Sequence, residues 1–164
     1  MRTSQEWNQL SDQNKELIIS FQQNFPIPVG AIAKKLGIIV KKSTLPAGIS
    51  GEIKEEDNVC IIRVNRHDVK ARQRFTLAHE IAHFLLHKHL LRDGITDDIL
   101  YRSNQSDAIE AQANRLAADL IMPPSLVNQA MNIYQDKKDE QKYELIAQEA
   151  EVSTVALKIR LGKK

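Results

Sequence analysis

Residues 72 to 87 read Arg72-Gln73-Arg74-Phe75-Thr76-Leu77-Ala78-His79-Glu80-Ile81-Ala82-His83-Phe84-Leu85-Leu86-His87, and the rest of the chain is organised around them. From Asp68, a suitable cap, to about Leu90 there is no Gly or Pro, and Ala, Leu, Arg and His dominate. That composition predicts the longest helix of the chain. Within it His79-Glu80-Ile81-Ala82-His83 sets two imidazoles four positions apart, on one face and one turn from each other. Both rings can reach one metal ion, since zinc takes imidazole nitrogens at about 2.0–2.1 Å, while Glu80 lies to one side. Water is a poor nucleophile at a pKa of about 15.7; zinc lowers this to roughly 7, after which a carboxylate can take and relay the proton. This division of labour is metalloprotease chemistry. With 5 His and 11 Glu in 164 residues, chance alone yields an H-E-x-x-H in about one per cent of such sequences.

Two histidines and a water leave a catalytic zinc one protein ligand short. On a straight helix His87 lies two turns, about 12 Å, above His79. His89 falls at the metzincin spacing, but Leu86 stands where that pattern needs its turning glycine. Cys60, within Val59-Cys60-Ile61, reads as a buried strand thiol. Glu110 is the strongest choice. It opens the alanine-rich run Ala108-Ile109-Glu110-Ala111-Gln112-Ala113-Asn114-Arg115-Leu116-Ala117-Ala118, whose small side chains let helices approach closely enough for a carboxylate to span the gap. Asn114, one turn on, shares the face of Glu110 and could hydrogen-bond a metal-ligating imidazole. For the oxyanion, His87, Tyr101 and Arg115 are each possible donors.

Outward from this pair of helices, Ser4 to Asn24 reads as one N-terminal helix, and Val29 to Leu36 as a second, closed by Gly37. Ile38-Ile39-Val40, Ile49 to Ile53 and Val59 to Val64 predict three strands in a small antiparallel sheet, with turn signals at Pro46-Ala47-Gly48 and Glu55 to Asn58. Arg92 to Gln105 reads as an irregular connection with a turn near Ile99-Leu100-Tyr101, and Ser106 caps a helix running to Ile121. Helices follow at Ser125 to Ile133, Glu140 to Ala150 and Ser153 to Leu161. The expectation is an α+β fold: a small three-stranded sheet packed on a helical core, zincin-like, with C-terminal helices. We read residues 1–164 as one domain, with an N-terminal helix over 1–25, a catalytic core over 26–124 and a helical tail over 125–164.

Composition agrees with a single packed core: hydrophobic residues make up 42% and charged residues 27%. A balance of 23 Lys+Arg against 21 Asp+Glu gives no electrostatic case for a nucleic-acid or membrane partner. One cysteine excludes an intramolecular disulfide framework. With the polar start from Met1 to Asn14, it leads us to expect a cytoplasmic protein.

Two stretches, Arg72 to His87 as quoted and Ile109-Glu110-Ala111-Gln112-Ala113-Asn114-Arg115-Leu116-Ala117-Ala118-Asp119-Leu120-Ile121-Met122-Pro123, resemble the ImmA/IrrE-type zinc metallopeptidases, which are small gluzincins. Including Gly48-Ile49-Ser50-Gly51, the likeness covers roughly residues 26 to 124. The resemblance implies zinc held by His79, His83 and Glu110, with Glu80 as general base. Ala82 replaces a usual Gly, Gln112 a usual Glu and Leu116 a usual Phe. None of these changes removes a catalytic group. Members of the family are typically cytoplasmic and act beside a helix-turn-helix repressor, so the resemblance implies cleavage of a partner repressor. A catalytically silent regulator or anti-repressor that keeps the metal is the alternative. Two histidines and a carboxylate also suit Mn and Fe.

Ala147 to Leu157 itself resembles a helix-turn-helix unit, although Glu151 stands where the turn usually has Gly. Residues 140 to 164 carry five Lys/Arg and four Asp/Glu, too weak a footprint for reading DNA. A packing or partner-docking role is expected there, with Lys158, Arg160, Lys163 and Lys164 as a solvated basic end.

Overall fold

The Ile- and Val-rich stretch after Gly37 forms strands β1 (Ile39–Ser43), β2 (Ile49–Glu56) and β3 (Val59–Asn65) in the computed structural model, which describes residues 1–163. Asp57 and Asn58 join β2 to β3 with φ of 52° and 64°, the left-handed pair of a two-residue hairpin turn that Asp and Asn tolerate well. Two expectations are corrected. The sheet has a fourth strand, β4 (Ile95–Asp98), inside the stretch expected to be irregular. It is also mixed, with order β1-β3-β2-β4. β2 runs antiparallel to both β3 and β4, but β1 runs parallel to β3. The hairpin uses one edge of β2 and β4 takes the other, which leaves β1 the free edge of β3.

Helix boundaries also differ from the pattern. Ser4 to Asn24 is two helices, α1 (Gln5–Asn8) and α2 (Asp12–Ser20), because Ser4 and Ser11 each cap a separate start with the side-chain oxygen. α3 (Val29–Lys35) ends as expected, Gly37 taking φ of 82°. The long helix α4 spans Lys70–Leu86 and is capped by Val69 without a side-chain bond, not by Asp68. His87 leaves it with φ −127°, and Lys88–Leu90 forms a single 3-10 turn. α5 (Asp107–Ile121) starts at the Ser106 cap, and Met122-Pro123 separates it from α6 (Pro124–Ile133). α7 (Asp139–Ala150) and α8 (Thr154–Arg160) complete the chain.

α4 lies between the sheet and α5, against β2 and β3 on one side and α5 on the other. Ala78 and Ala82 of α4 and Ala113 and Ala117 of α5 are fully buried, which keeps this helix pair thin. Ile53, Ile62, Ile81, Leu116 and Leu120 fill the surrounding core, each contributing about 1.5–3 kcal/mol by leaving water. Of the basic end, Arg160 is buried against Asp119 and Lys158 pairs with Glu140, so it is not a freely solvated cluster; Lys164 lies outside the described residues. Among the described residues, no helix is long and apolar enough to cross a membrane.

Candidate metal centre

Helix period and helix approach together assemble the site. His79 and His83 point from α4 toward α5, where Glu110 stands in the first turn. His79 Nε2 is 2.9 Å from Glu110 Oε1, His83 Nε2 is 3.2 Å from the same oxygen, and the two ring nitrogens are 3.1 Å apart. A fourth group arrives from the sheet: Asp97 of β4 places Oδ2 3.4 Å from His79 Nε2 and 3.6 Å from His83 Nε2. These distances permit strong attraction, but neither Asp97 oxygen makes a hydrogen bond. Asp97 was missed at the sequence level. Its only signal is the alternation Ile95, Asp97 in and Thr96 out, too short to stand above the Gly94 and Asp-rich turn signals around it.

The remaining nitrogens of the two imidazoles are also committed. His79 Nδ1–H donates to Asn114 Oδ1 at 2.9 Å, as the shared face of Glu110 and Asn114 suggested. His87 Nε2–H donates to Gln112 Oε1 at 2.8 Å, which leaves His87 Nδ1 to accept from His83 Nδ1–H at 2.9 Å. Both chains of bonds turn a ring Nε2 into the cage, the arrangement that fixes the tautomer of a metal-ligating histidine. His87 thus touches His83 rather than the cage, because the helix ends beneath it. Burial pushes its pKa down, keeping it neutral and able to accept. Ser103 Oγ–H donates to Glu110 Oε2 at 2.7 Å and orients that carboxylate from outside.

Glu80 has no exposed surface and no hydrogen-bond partner for either carboxylate oxygen. Burial, then the neighbouring charge of Asp97, pushes its pKa well above the usual carboxylate range. Burial works against the charge of His79, but Asp97 and Glu110 outweigh it and raise its pKa to about 9, so Nε2 carries a proton that a bound cation would displace. Burial likewise opposes the charge of Glu110, and the bonds with His79 and His83 prevail, holding its pKa low.

Tyr101 is brought to the site, its ring 4.8 Å from that of His79 and its hydroxyl 3.0 Å from Thr76 Oγ1. Arg115 is not: its guanidinium is bound to Glu6 at 2.7 Å. Cys60 sits in the apolar core and His89 is exposed, so neither joins the cage.

The residues fit a divalent metal. His79, His83, Asp97 and Glu110 are all buried, with one donor atom from each within 4.8 Å of the others. Two ligands of a tetrahedral zinc are about 3.3 Å apart, a separation that the contacts of 2.9 to 3.6 Å bracket. The mixed nitrogen and oxygen donor set also suits Mn or Fe.

No curated protein matches this sequence. The fold is similar to that of a solved Mycobacterium tuberculosis transcriptional regulator, with a TM-score of 0.60 at 15% identity. That match covers 95% of this chain and 48% of the other, so the chain spans about half the length of the regulator. At that identity the likeness concerns the fold alone. A family model described as the IrrE N-terminal-like domain, peptidase M78, matches residues 33–162. By that match, the helix pair carrying His79, His83 and Glu110 lies inside a domain of known kind, and the chain belongs to the M78 peptidase family of IrrE N-terminal-like domains.

Proposed function

We propose that this chain is a zinc-dependent peptidase whose substrate is a partner helix-turn-helix transcriptional repressor in the cytoplasm. The observation that carries the reading is a buried carboxylate without a partner, Glu80, beside a donor cage that includes His79, His83 and Glu110. Such a carboxylate is costly to bury, and a catalytic role accounts for keeping it. Zinc held by His79, His83 and Glu110 would supply Lewis acidity toward a carbonyl and lower the pKa of water to roughly 7. Glu80 takes a proton from the attacking water as its oxygen bonds to the carbonyl carbon, then returns the proton to the amine nitrogen as the C–N bond breaks. For the oxyanion, Tyr101 is the best placed of the three sequence candidates, since His87 and Arg115 are engaged elsewhere.

A polypeptide substrate is supported by a groove of about 580 Å³ lined by Val69, Phe75, Leu100, Tyr101, Val155 and Ile159. Tyr101 and Asn114 line this groove and also touch His79, so an apolar segment seated there lies one side chain away from the cage.

One observation favours a second reading, a metal-containing regulator that acts by binding. The cage is surrounded by protein donors, all of them buried. Glu80→Gln separates the two. At least a ~100-fold loss of hydrolysis with metal content unchanged supports the peptidase. Repressor inactivation that persists undiminished in the variant overturns it in favour of binding.

A further inference from the structure

We propose that Asp97 is a fourth protein ligand of the metal centre, occupying the position a peptidase leaves to solvent, so that the chain as folded here is a latent form. The inference rests on the peptidase reading and adds to it a residue that closes the site. Three independent features point the same way.

The first is distance. The separations of 3.4 and 3.6 Å from Asp97 Oδ2 to the two imidazole nitrogens match the 2.9, 3.1 and 3.2 Å among the other three donors. All five scatter about the edge of one tetrahedral zinc site, about 3.3 Å. The second is burial: Asp97 is 0% exposed, neither carboxylate oxygen accepts a hydrogen bond, and Oδ2 has only the two imidazoles at ion-pair distance. Buried carboxylates are normally paired or bound to a cation. The third is how the residue is delivered. Asp97 pairs with Gly51 and Asp98 with Ile49, so Ser50 is an extra residue on β2. Such a bulge re-aims a side chain next to a site. Zinc sites closed by four protein ligands are structural, whereas catalytic ones keep one position open. In a tetrahedral site the attacking water gains a place only once Asp97 withdraws.

Withdrawal would have to break the contacts that hold the turn after β4. Ile99 N–H donates to Gly48 O at 3.0 Å, Arg72 Nη1 donates to Ile99 O at 2.6 Å, and Tyr101 holds φ of 55°. Ile99, Leu100 and Tyr101 also form one lip of the apolar groove.

The test uses the full chain stripped of metal and reloaded with Co²⁺, whose visible ligand-field spectrum reports its donors, with azide as an exogenous ligand. The expected result is one equivalent of Co²⁺ bound by the wild type with a spectrum that azide does not change. Asp97→Ala and the isosteric Asp97→Asn should give altered spectra and Co²⁺ affinity lower by about tenfold or more, with the alanine variant responding to azide. A wild-type spectrum that azide shifts, or variant spectra identical to the wild type, overturns the ligation by Asp97 and leaves the three-ligand peptidase reading standing. Failure of the wild type to take up Co²⁺ removes the metal reading altogether, and this inference with it. Thermal melts of both variants identify any loss of folding, and the azide titration of the wild type does not depend on either.

Discussion

An imidazole can serve a metal only through an unprotonated nitrogen, so the partner of its other nitrogen matters as much as the ligand atom itself. Asn114 accepts from Nδ1 of His79, and Gln112 acts on His83 through His87, so each ring is set to turn its Nε2 into the cage. Asn114→Ala removes the acceptor that holds the Nδ1 proton, and metal affinity is expected to fall about 10–100-fold. A competition titration with a chelator measures this, and an unchanged affinity would contradict the assignment. Glu6 illustrates charge used for stability instead. Arg115 donates to Glu6 through Nε at 2.7 Å and Nη2 at 3.1 Å, and this bond pulls the carboxyl pKa below its ordinary 4.5. A depressed carboxylate contributes stability above its unfolded pKa and loses it as pH falls through the folded value. Because the Arg115 side chain is 46% exposed, solvent screening limits the pair, and Glu6→Gln should cost about 1 kcal/mol at pH 7. That difference should shrink below pH 4.5 in acid-denaturation curves; a deficit that grows with acid has the wrong sign.

Among the elements, the contact between β2 and α4 is the most constrained. A Cβ at Gly51 would stand 2.4 Å from Thr76 Cγ2 and 3.1 Å from Glu80 Oε2, so only glycine lets the strand pass this close to the helix. Gly51→Ala should lose about 1–3 kcal/mol by overpacking and displace Glu80, lowering hydrolysis more than metal content. Adding Thr76→Ser removes the clashing methyl and should recover much of the stability in a thermal melt. No recovery would locate the strain elsewhere. Gly51 lies in a stretch that the sequence marks as a strand, yet no alternation of apolar residues indicates which helix crosses it. The fourth strand was hidden for a related reason. β4 has four residues, two of them Asp, and it is held by hydrogen bonds to β2, a partner more than forty positions earlier.

At the scale of the molecule, Asp119 ties the two ends of the chain to α5. Its carboxylate accepts from Ser4 N–H, from Ser4 Oγ–H at 2.6 Å and from Arg160 Nη2 at 2.8 Å, while Arg160 Nε donates to Met122 O. Asp119→Ala leaves the buried Arg160 without its counter-charge and should cost about 3–5 kcal/mol, read as a lower urea midpoint. A loss below about 1 kcal/mol would mean the ends are held by apolar packing alone. What the chain spelled out unaided was everything carried by local period and composition. The α+β class, helices α3 and α5 to α8 within a residue or two, strands β1 to β3 and the pairing of His79 with His83 all depend on neighbours within a few positions. The position of Glu110 beside the two imidazoles was legible because an alanine-rich helix face announces close packing. The split of the first helix, the parallel β1–β3 pair and β4 were decided by folding, and so was the arrival of Asp97 beside the imidazoles. Each of these depends on which distant segment supplies hydrogen bonds or counter-charge, and a one-dimensional pattern does not record that partner.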